Sequence, residues 1–354
     1  MSTRRLMIYG ANGYTGRLIA REAAKRGIKA IVAGRNRDDV AALSDELGMP
    51  QRVFPLDKPD TVARSLDGVD VVLHCAGPFS RTAKPMLEAC LARKAHYLDI
   101  TGEIEVFALG HRAHDRAAAA GIVVLPGSGF DVVPTDCLAA MLKRRLPDAT
   151  ALVLGFEAGG GPSPGTAKTS VEGMGKGGRA RIDGKLTDVP LAWKSRTFLR
   201  DGKARSAMTI PWGDVYTAFV STGIGTIETY MVVPPKTIER LTWMRHLQPL
   251  LRVGFVQDFM KRRIERSNPG PSLQRRQDSG SYVWGEVRNA AGVEAKLALS
   301  APNGYDLTVT ASLGIAQRLL EQPAPAGGYY TPSLLMGADY VLTLPGVRLI
   351  ETPA

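Results

Sequence analysis

The sequence predicts an α/β protein: a doubly wound parallel sheet, a second α+β domain, and a C-terminal segment that returns to the first domain. Three observations carry this. Short aliphatic runs alternate with helical patterns through the first 150 residues, a glycine-rich loop joins the first run to the first helix, and after residue 151 this alternation gives way to a glycine-rich basic stretch followed by strands and turns. A chain of 354 residues exceeds one ordinary core. The expected division is 1–150 for the parallel-sheet domain, 151–312 for the α+β domain and 313–354 for the returning segment.

The strands of the first domain are predicted at 6–9, 30–33, 52–54, 69–75, 97–100 and 122–125. They are mostly aliphatic without strict alternation, as strands buried on both faces are. The helix after Thr15 places Leu18, Ile19 and Ala23 on one face and stops at Gly27 behind Lys25 and Arg26. The next helix, after Asp38, carries Val40, Leu43 and Leu47 on a single stripe before Gly48. The resulting βαβαβ order implies right-handed crossovers. Beyond 151, residues 237–266 read as a basic helical pair, and 282–312 as alternating strands. The stretch "TPSLLMGADYVLTLP" reads as a helix capped by Thr331, with Pro332 at its first position and Leu335, Ala338 and Leu342 on its apolar face.

The net charge of +11 fits either nucleic acid or a polyanionic small molecule. The arginines are scattered and no zinc-finger or RNA-binding signature accompanies them, so no nucleic-acid partner is expected. Cys75, Cys90 and Cys137 form no CxxC pair, which places the chain in a reducing compartment, with the cytoplasm as the expectation. No apolar run approaches the roughly 20 residues of a membrane helix.

The stretch "MIYGANGYTG" sets Gly10, Gly13 and Gly16 between a predicted strand and a predicted helix. In that context a glycine pattern signals dinucleotide binding: a tight turn, close approach of backbone to a pyrophosphate, and a helix N-terminus offering N–H groups to the anion. Asn12, Tyr14 and Thr15 belong to the same turn. An acidic residue about 20 positions further on would hold the ribose hydroxyls of NAD. Here "VAGRN" puts Arg35 in that place, where a cation pairs with a 2′-phosphate. The expected cofactor is NADP in a Rossmann-type fold. Asp57, past the third strand, is a candidate for the adenine amino group. "HCAGPF" ends the fourth strand with Cys75, Ala76, Gly77 and Pro78 as a close wall for the cofactor.

No tyrosine is followed four residues on by lysine, so the proton-donating pair of short-chain reductases is missing. His111 and His114 stand at i, i+3 without a further ligand nearby in sequence, and a solvated helix face is expected there rather than a metal site. Two strand-end segments remain. "HYLDITGE" offers Tyr97 and Asp99, and "LPGSGFDVVPTD" offers Asp131, at the carboxyl ends of strands where open α/β sheets bind ligands. These three are the catalytic candidates, although Asp131 also suits an N-cap and Asp99 a loop-orienting role.

With "YGANGYTGRLIA", "AGR", "CAGPF", "YLDITGE" and "GSGFDVVPTD" in hand, the chain resembles the saccharopine dehydrogenase-like oxidoreductases, in particular the branch with trans-acting enoyl reductases. "GTAKTSVEGM" and "TPSLLMGADY" extend the match more weakly. The resemblance implies an NADP-binding Rossmann domain, an inserted α+β domain and a homodimer. It carries Gly10, Gly13, Gly16, Arg35, Ala76 and Gly77 over as cofactor positions. The expected function is NADPH-dependent reduction of an activated double bond on an acyl or lipid-like substrate. In that scheme Tyr97 is the acid and the Gly127 to Gly129 backbone holds the enolate oxygen. The alternatives are a redox sensor that binds NADP(H) without turnover and an imine-reducing amino-acid dehydrogenase. Leu241, Met244, Leu247, Leu251, Phe255 and Phe259 form an apolar band beside Arg245, Arg252, Lys261, Arg262 and Arg263, read either as core packing or as peripheral membrane contact.

Overall fold

The computed structural model describes residues 4–161, 177–200, 202–245, 270–321, 323 and 325–351. In chain order the first elements are β1 (Leu6–Tyr9), α1 (Tyr14–Lys25), β2 (Ala30–Gly34), α2 (Arg37–Leu47), β3 (Gln51–Val53), α3 (Pro59–Arg64), β4 (Val71–His74) and α4 (Phe79–Arg93). There follow β5 (His96–Asp99), α5 (Ile104–Arg112), α6 (His114–Ala120), β6 (Val123–Leu125), α7 (Val133–Arg145) and β7 (Ala151–Ala158). Next come β8 (Gly178–Ile182), β9 (Lys185–Val189), β10 (Ser195–Arg200), β11 (Lys203–Thr209), α8 (Asp214–Thr222), β12 (Thr226–Val232), α9 (Pro235–Met244) and α10 (Leu273–Gln277). The last are β13 (Ser281–Arg288), β14 (Glu294–Ala301), α11 (Gly304–Leu320), β15 (Gly328–Tyr329), α12 (Pro332–Met336) and β16 (Arg348–Glu351).

Two compact units result. The first comprises Met1–Val133 with Tyr305–Gly337, the second Pro134–Gly304 with Ala338–Ala354. The division runs at 133/134 instead of 150. The last residues of the chain also differ from the expectation, because β16 pairs antiparallel with β14 in the second sheet, while the segment that returns to the first unit is 305–337.

The first unit is a seven-stranded sheet in the order β15-β6-β5-β4-β1-β2-β3, with every pairing parallel. β1, β2, β4, β5 and β6 are buried along their whole lengths, which is why their sequences run aliphatic without alternation. The order reverses between β1 and β4, so the carboxyl ends of these two strands open the crevice where such sheets take ligands. α1 buries Gly16, Ile19, Ala20 and Ala23, and α2 buries Val40 and Leu43 under a cap from Asn36, whose side chain accepts from the N–H groups of Asp38 and Asp39.

The second unit is built on a mixed sheet in the order β10-β11-β12-β7-β13-β14-β16, with β8 and β9 branching from β12. Its centre packs Trp284 over Gly155, where a Cβ would lie 2.2 Å from the indole. Arg181 is buried there, its guanidinium 4.0 Å above the Phe219 ring and donating to the carbonyls of Val215 and Gly184.

Two sequence expectations are corrected. Residues 304–312 open the 17-residue helix α11 instead of continuing strands, and Leu307, Ala311, Ile315 and Leu319 all lie buried at helical spacing. The helix begun at Pro332 ends at Met336, because Gly337 turns with φ +88° and the chain continues as a 3-10 turn over Ala338–Thr343. Of the apolar band, Leu241 and Met244 lie on α9; Leu247, Leu251, Phe255 and Phe259 lie outside the described residues, as does "GTAKTSVEGM". No helix among the described residues is long and apolar enough to cross a membrane.

Candidate functional site

The glycine loop closes on itself with little room to spare. Gly10 has φ +79°, and a Cβ there would lie 2.7 Å from the Ala76 nitrogen in the loop after β4. A Cβ on Gly16 would come within 2.2 Å of the Gly10 carbonyl oxygen. Gly13 forms the N-cap of α1, so no side chain caps the first turn, and Tyr14 and Thr15 follow at its start. Asn12 fits against Gly34 at the end of β2, where a Cβ would stand 2.6 Å from its Oδ1. A helix N-terminus without a side-chain cap over a glycine-rich loop at the β1/β4 reversal is the setting a pyrophosphate requires, and these residues fit a dinucleotide.

Arg35 follows β2 and is exposed, and Asp57 stands exposed past β3. Both act on the hydroxyl of Tyr9, which donates to the Phe54 carbonyl at 2.9 Å. Burial pushes this phenol up to about 12, the Arg35 charge draws it down and the Asp57 charge raises it. A cation and a carboxylate thus flank the ends of β1 to β3, at the side of the crevice expected for an adenosine 2′-phosphate.

Behind this edge lies a row of rings. Tyr9 contacts Phe54 with centroids 4.9 Å apart and His74 at 5.5 Å, and His74 meets Phe79 edge-on at 5.4 Å. His74 is fully buried, neither ring nitrogen has a hydrogen-bond partner among the described residues, and burial lowers its pKa to about 3. It is a neutral aromatic in this setting. Cys75 donates its N–H to the Tyr9 carbonyl at 2.7 Å, and burial pushes its thiol far up. Ala76 abuts Gly10, while Gly77 and Pro78 lead into α4.

α4 is capped from a distance. The Glu103 carboxylate accepts from the N–H groups of Phe79 at 2.9 Å and Ser80 at 2.7 Å, joining the loop after β5 to the loop after β4. Nothing in sequence spacing marks this role, because donor and acceptor stand more than 20 residues apart. Thr101 in turn accepts the Glu103 N–H at 3.0 Å.

Asp99 is the hub beneath these loops. It has no exposed surface; Oδ1 accepts from the N–H groups of Thr101 at 3.0 Å and Gly127 at 2.9 Å, and Oδ2 accepts the Tyr97 hydroxyl at 2.7 Å. Burial raises its pKa to about 6 against the pull of these three donors. Tyr97 is 1% exposed, and burial together with Asp99 holds its phenol well above the usual range. The Ser128 N–H and hydroxyl both donate to the Asp99 carbonyl at 2.7 Å. The N–H groups of Gly127 and Ser128, expected to hold an enolate oxygen, are therefore committed to Asp99.

Asp131 differs from this pair. The residue keeps some surface, while its carboxyl lies against Gly102, where a Cβ would stand 2.9 Å from Oδ2. Burial of the carboxyl raises its pKa to about 7. The segment before it is held by α11: Thr308 accepts the Phe130 N–H at 2.9 Å, and its methyl group leaves no space for a Cβ on Gly129. One turn earlier Tyr305 meets Tyr14 edge-on, with centroids 5.0 Å apart. Neither contact is visible in the sequence, where 282–312 reads as strand.

His111 and His114 are exposed on their helices, as expected, and also brace the edge of the sheet. His111 stacks on Tyr329 at 4.9 Å, and His114 Nδ1 accepts the Tyr329 N–H at 3.1 Å.

Residues 6–125 match the family model described as the saccharopine dehydrogenase NADP binding domain. This region belongs to that family. The NADP binding domain so identified covers β1 through β6, and its cofactor is NADP, in accord with the bare loop and Arg35. The saccharopine dehydrogenase-like oxidoreductase of Rattus norvegicus is 26% identical over 204 residues, covering 50% of this chain and 47% of that protein. The trans-acting enoyl reductase of Mycobacterium ulcerans is 31% identical over 149 residues, 40% of this chain and 35% of that protein. The chain spans about half the length of the curated relatives it matches. Among solved structures, apo saccharopine dehydrogenase (L-Glu forming) from Saccharomyces cerevisiae superposes with a TM-score of 0.63 at 11% identity, covering 98% of this chain and 100% of that one. Homospermidine synthase from Legionella pneumophila, in complex with NAD, gives 0.64 at 12%, covering 99% and 92%. These two share the fold. Outside residues 6–125 the chain is similar to saccharopine dehydrogenase-like oxidoreductases over part of their length only.

Proposed function

We propose that the chain is an NADPH-dependent reductase of an activated carbon–carbon double bond on an acyl or lipid-like substrate, and that Asp131 delivers the proton. The observation that carries the reading is the place of Asp131: a carboxyl set against Gly102 in the segment after β6, at the carboxyl ends of the parallel strands, on a residue that keeps surface, with burial raising its pKa to about 7. Of the other acids at these strand ends, Asp99 is a fully buried acceptor of three hydrogen bonds and Glu103 caps α4. Similarity to a trans-acting enoyl reductase supports the substrate class.

NADPH, when bound, supplies the hydride. The loop Gly10 to Gly16 and the first turn of α1 hold the pyrophosphate, and Arg35 pairs with the 2′-phosphate. Asp131 holds a proton on its carboxyl and gives it to the substrate carbon that hydride addition leaves electron-rich. Tyr97 and Asp99 are positioning residues: they fix Thr101 and Gly127, and so the two loops that frame Asp131.

The test is a panel of enoyl thioesters with NADPH, read by loss of reduced nicotinamide. Asp131→Asn is expected to lower kcat about a hundredfold while leaving the Kd for NADPH unchanged. In the parent protein kcat should fall as pH rises through about 7, where Asp131 loses its proton. Unaltered turnover in Asp131→Asn removes the proton donor, and absence of turnover across the panel favours the sensor.

A further inference from the structure

Helix α11 reaches the glycine loop from far along the chain. Tyr305, in its first turn, sets the edge of its ring against Tyr14, the first residue of α1, with centroids 5.0 Å apart and planes at 77°. Three residues on, along the same face of the helix, Thr308 accepts the Phe130 N–H and fills the space beside Gly129. The helix is thereby fixed at two points: at the N-terminus that receives the cofactor pyrophosphate, and at the loop that leads to Asp131. Both residues are partly buried.

We propose that Tyr305 is a positioning residue of the NADP site, acting through its ring: it holds Tyr14, and with it the first turn of α1, in the orientation that binds the pyrophosphate. The inference rests on a dinucleotide occupying the glycine loop and is independent of the substrate. Position 305 therefore belongs to the cofactor site although it lies outside the matched region 6–125. An edge-to-face aromatic pair corresponds to a change of between about two- and tenfold in an equilibrium constant, which sets the expected scale.

The experiment is direct titration of the full chain with NADPH, by nucleotide fluorescence, with no substrate present. Tyr305→Leu should raise the Kd about fivefold, and Tyr305→Phe, which keeps the ring, should bind as the parent does. Tyr14→Leu should weaken binding similarly, and Tyr14→Leu with Tyr305→Leu should lose no more than either alone. Melting without nucleotide should be the same for Tyr305→Phe and the parent, and any loss in Tyr305→Leu should leave it folded at the titration temperature. Parent-like binding by Tyr305→Leu overturns the proposal, as does fully additive loss in the double variant or a loss in Tyr305→Phe equal to that in Tyr305→Leu. Because no turnover is measured, failure of the reductase reading leaves these outcomes unaffected.

Discussion

Replacing Asp99 by asparagine should change the pH dependence of stability more than stability itself. The carboxyl is fully buried and has its pKa raised from 3.8 to about 6. A carboxyl so raised contributes stability that is complete below its unfolded value and lost as pH rises through the folded one. The shift of roughly two units corresponds to about 3 kcal/mol, of which about half is lost between pH 5 and 8. Asparagine keeps an oxygen for the N–H groups of Thr101 and Gly127, but turns an N–H toward the Tyr97 hydroxyl that donates to Oδ2. That exchange costs about 1 kcal/mol at every pH. The variant should therefore lie within about 0.5 kcal/mol of the parent at pH 5, and gain on it by about 1.5 kcal/mol by pH 8. Urea unfolding of both proteins at pH 5, 6.5 and 8 reads the difference. A difference that stays flat, or moves against the variant as pH rises, refutes the reasoning, for then the buried carboxyl carries no penalty for ionising.

Gly16→Ala would place a methyl group 2.2 Å from the Gly10 carbonyl oxygen, and the loop cannot close around it. NADPH affinity should fall at least about a hundredfold with the far-ultraviolet circular dichroism retained; binding within a few-fold of the parent contradicts the tight-loop account. His74 acts in the opposite sense to Asp99, since its pKa is lowered from 6.5 to about 3 and the stability it allows is present above 6.5 and lost as pH falls toward 3. His74→Phe keeps the ring contacts with Tyr9 and Phe79 and should spare about 2 kcal/mol of the parent's loss between pH 7.5 and 5, measured by the same unfolding curves.

The parallel sheet is legible because β1, β2, β4, β5 and β6 are buried along their whole lengths and each βα junction carries turn chemistry. Gly10, Gly13, Gly16 and Arg35 announce a cofactor by spacing alone. What spacing could not convey are contacts closed by tertiary structure. Tyr97 looks like a proton donor in "HYLDITGE", but its hydroxyl is spent on Asp99 two residues away, a bond made possible because residues i and i+2 share one face of a strand. Glu103 reads as a loop acid, and only folding brings it to the N-terminus of α4. Residues 304–312 of α11 read as strand because the helix buries polar and apolar residues alike, Thr308 and Ser312 beside Leu307, Val309 and Ala311, and this hides the amphipathic stripe by which helices are read. Tyr305 and Thr308 were lost with it.

The seventh strand of the parallel sheet is two residues long, and it sits at the far end of a detour. β6 ends at Leu125 and its outer neighbour β15 ends at Tyr329, 204 residues later. A ribosome adding roughly 5 to 20 residues per second leaves the outer edge of β6 without its partner for roughly 10 to 40 s, while the stretch Pro134–Gly304 of the second unit is being made. During that interval the edge presents unpaired N–H and carbonyl groups on a strand of valines and leucine, the kind of edge along which nascent chains join one another. Synthesis of this protein thus passes through a stage in which the parallel-sheet unit is nearly complete and yet adhesive, and its demand on the chaperones that meet emerging chains falls in the interval before β15 is made.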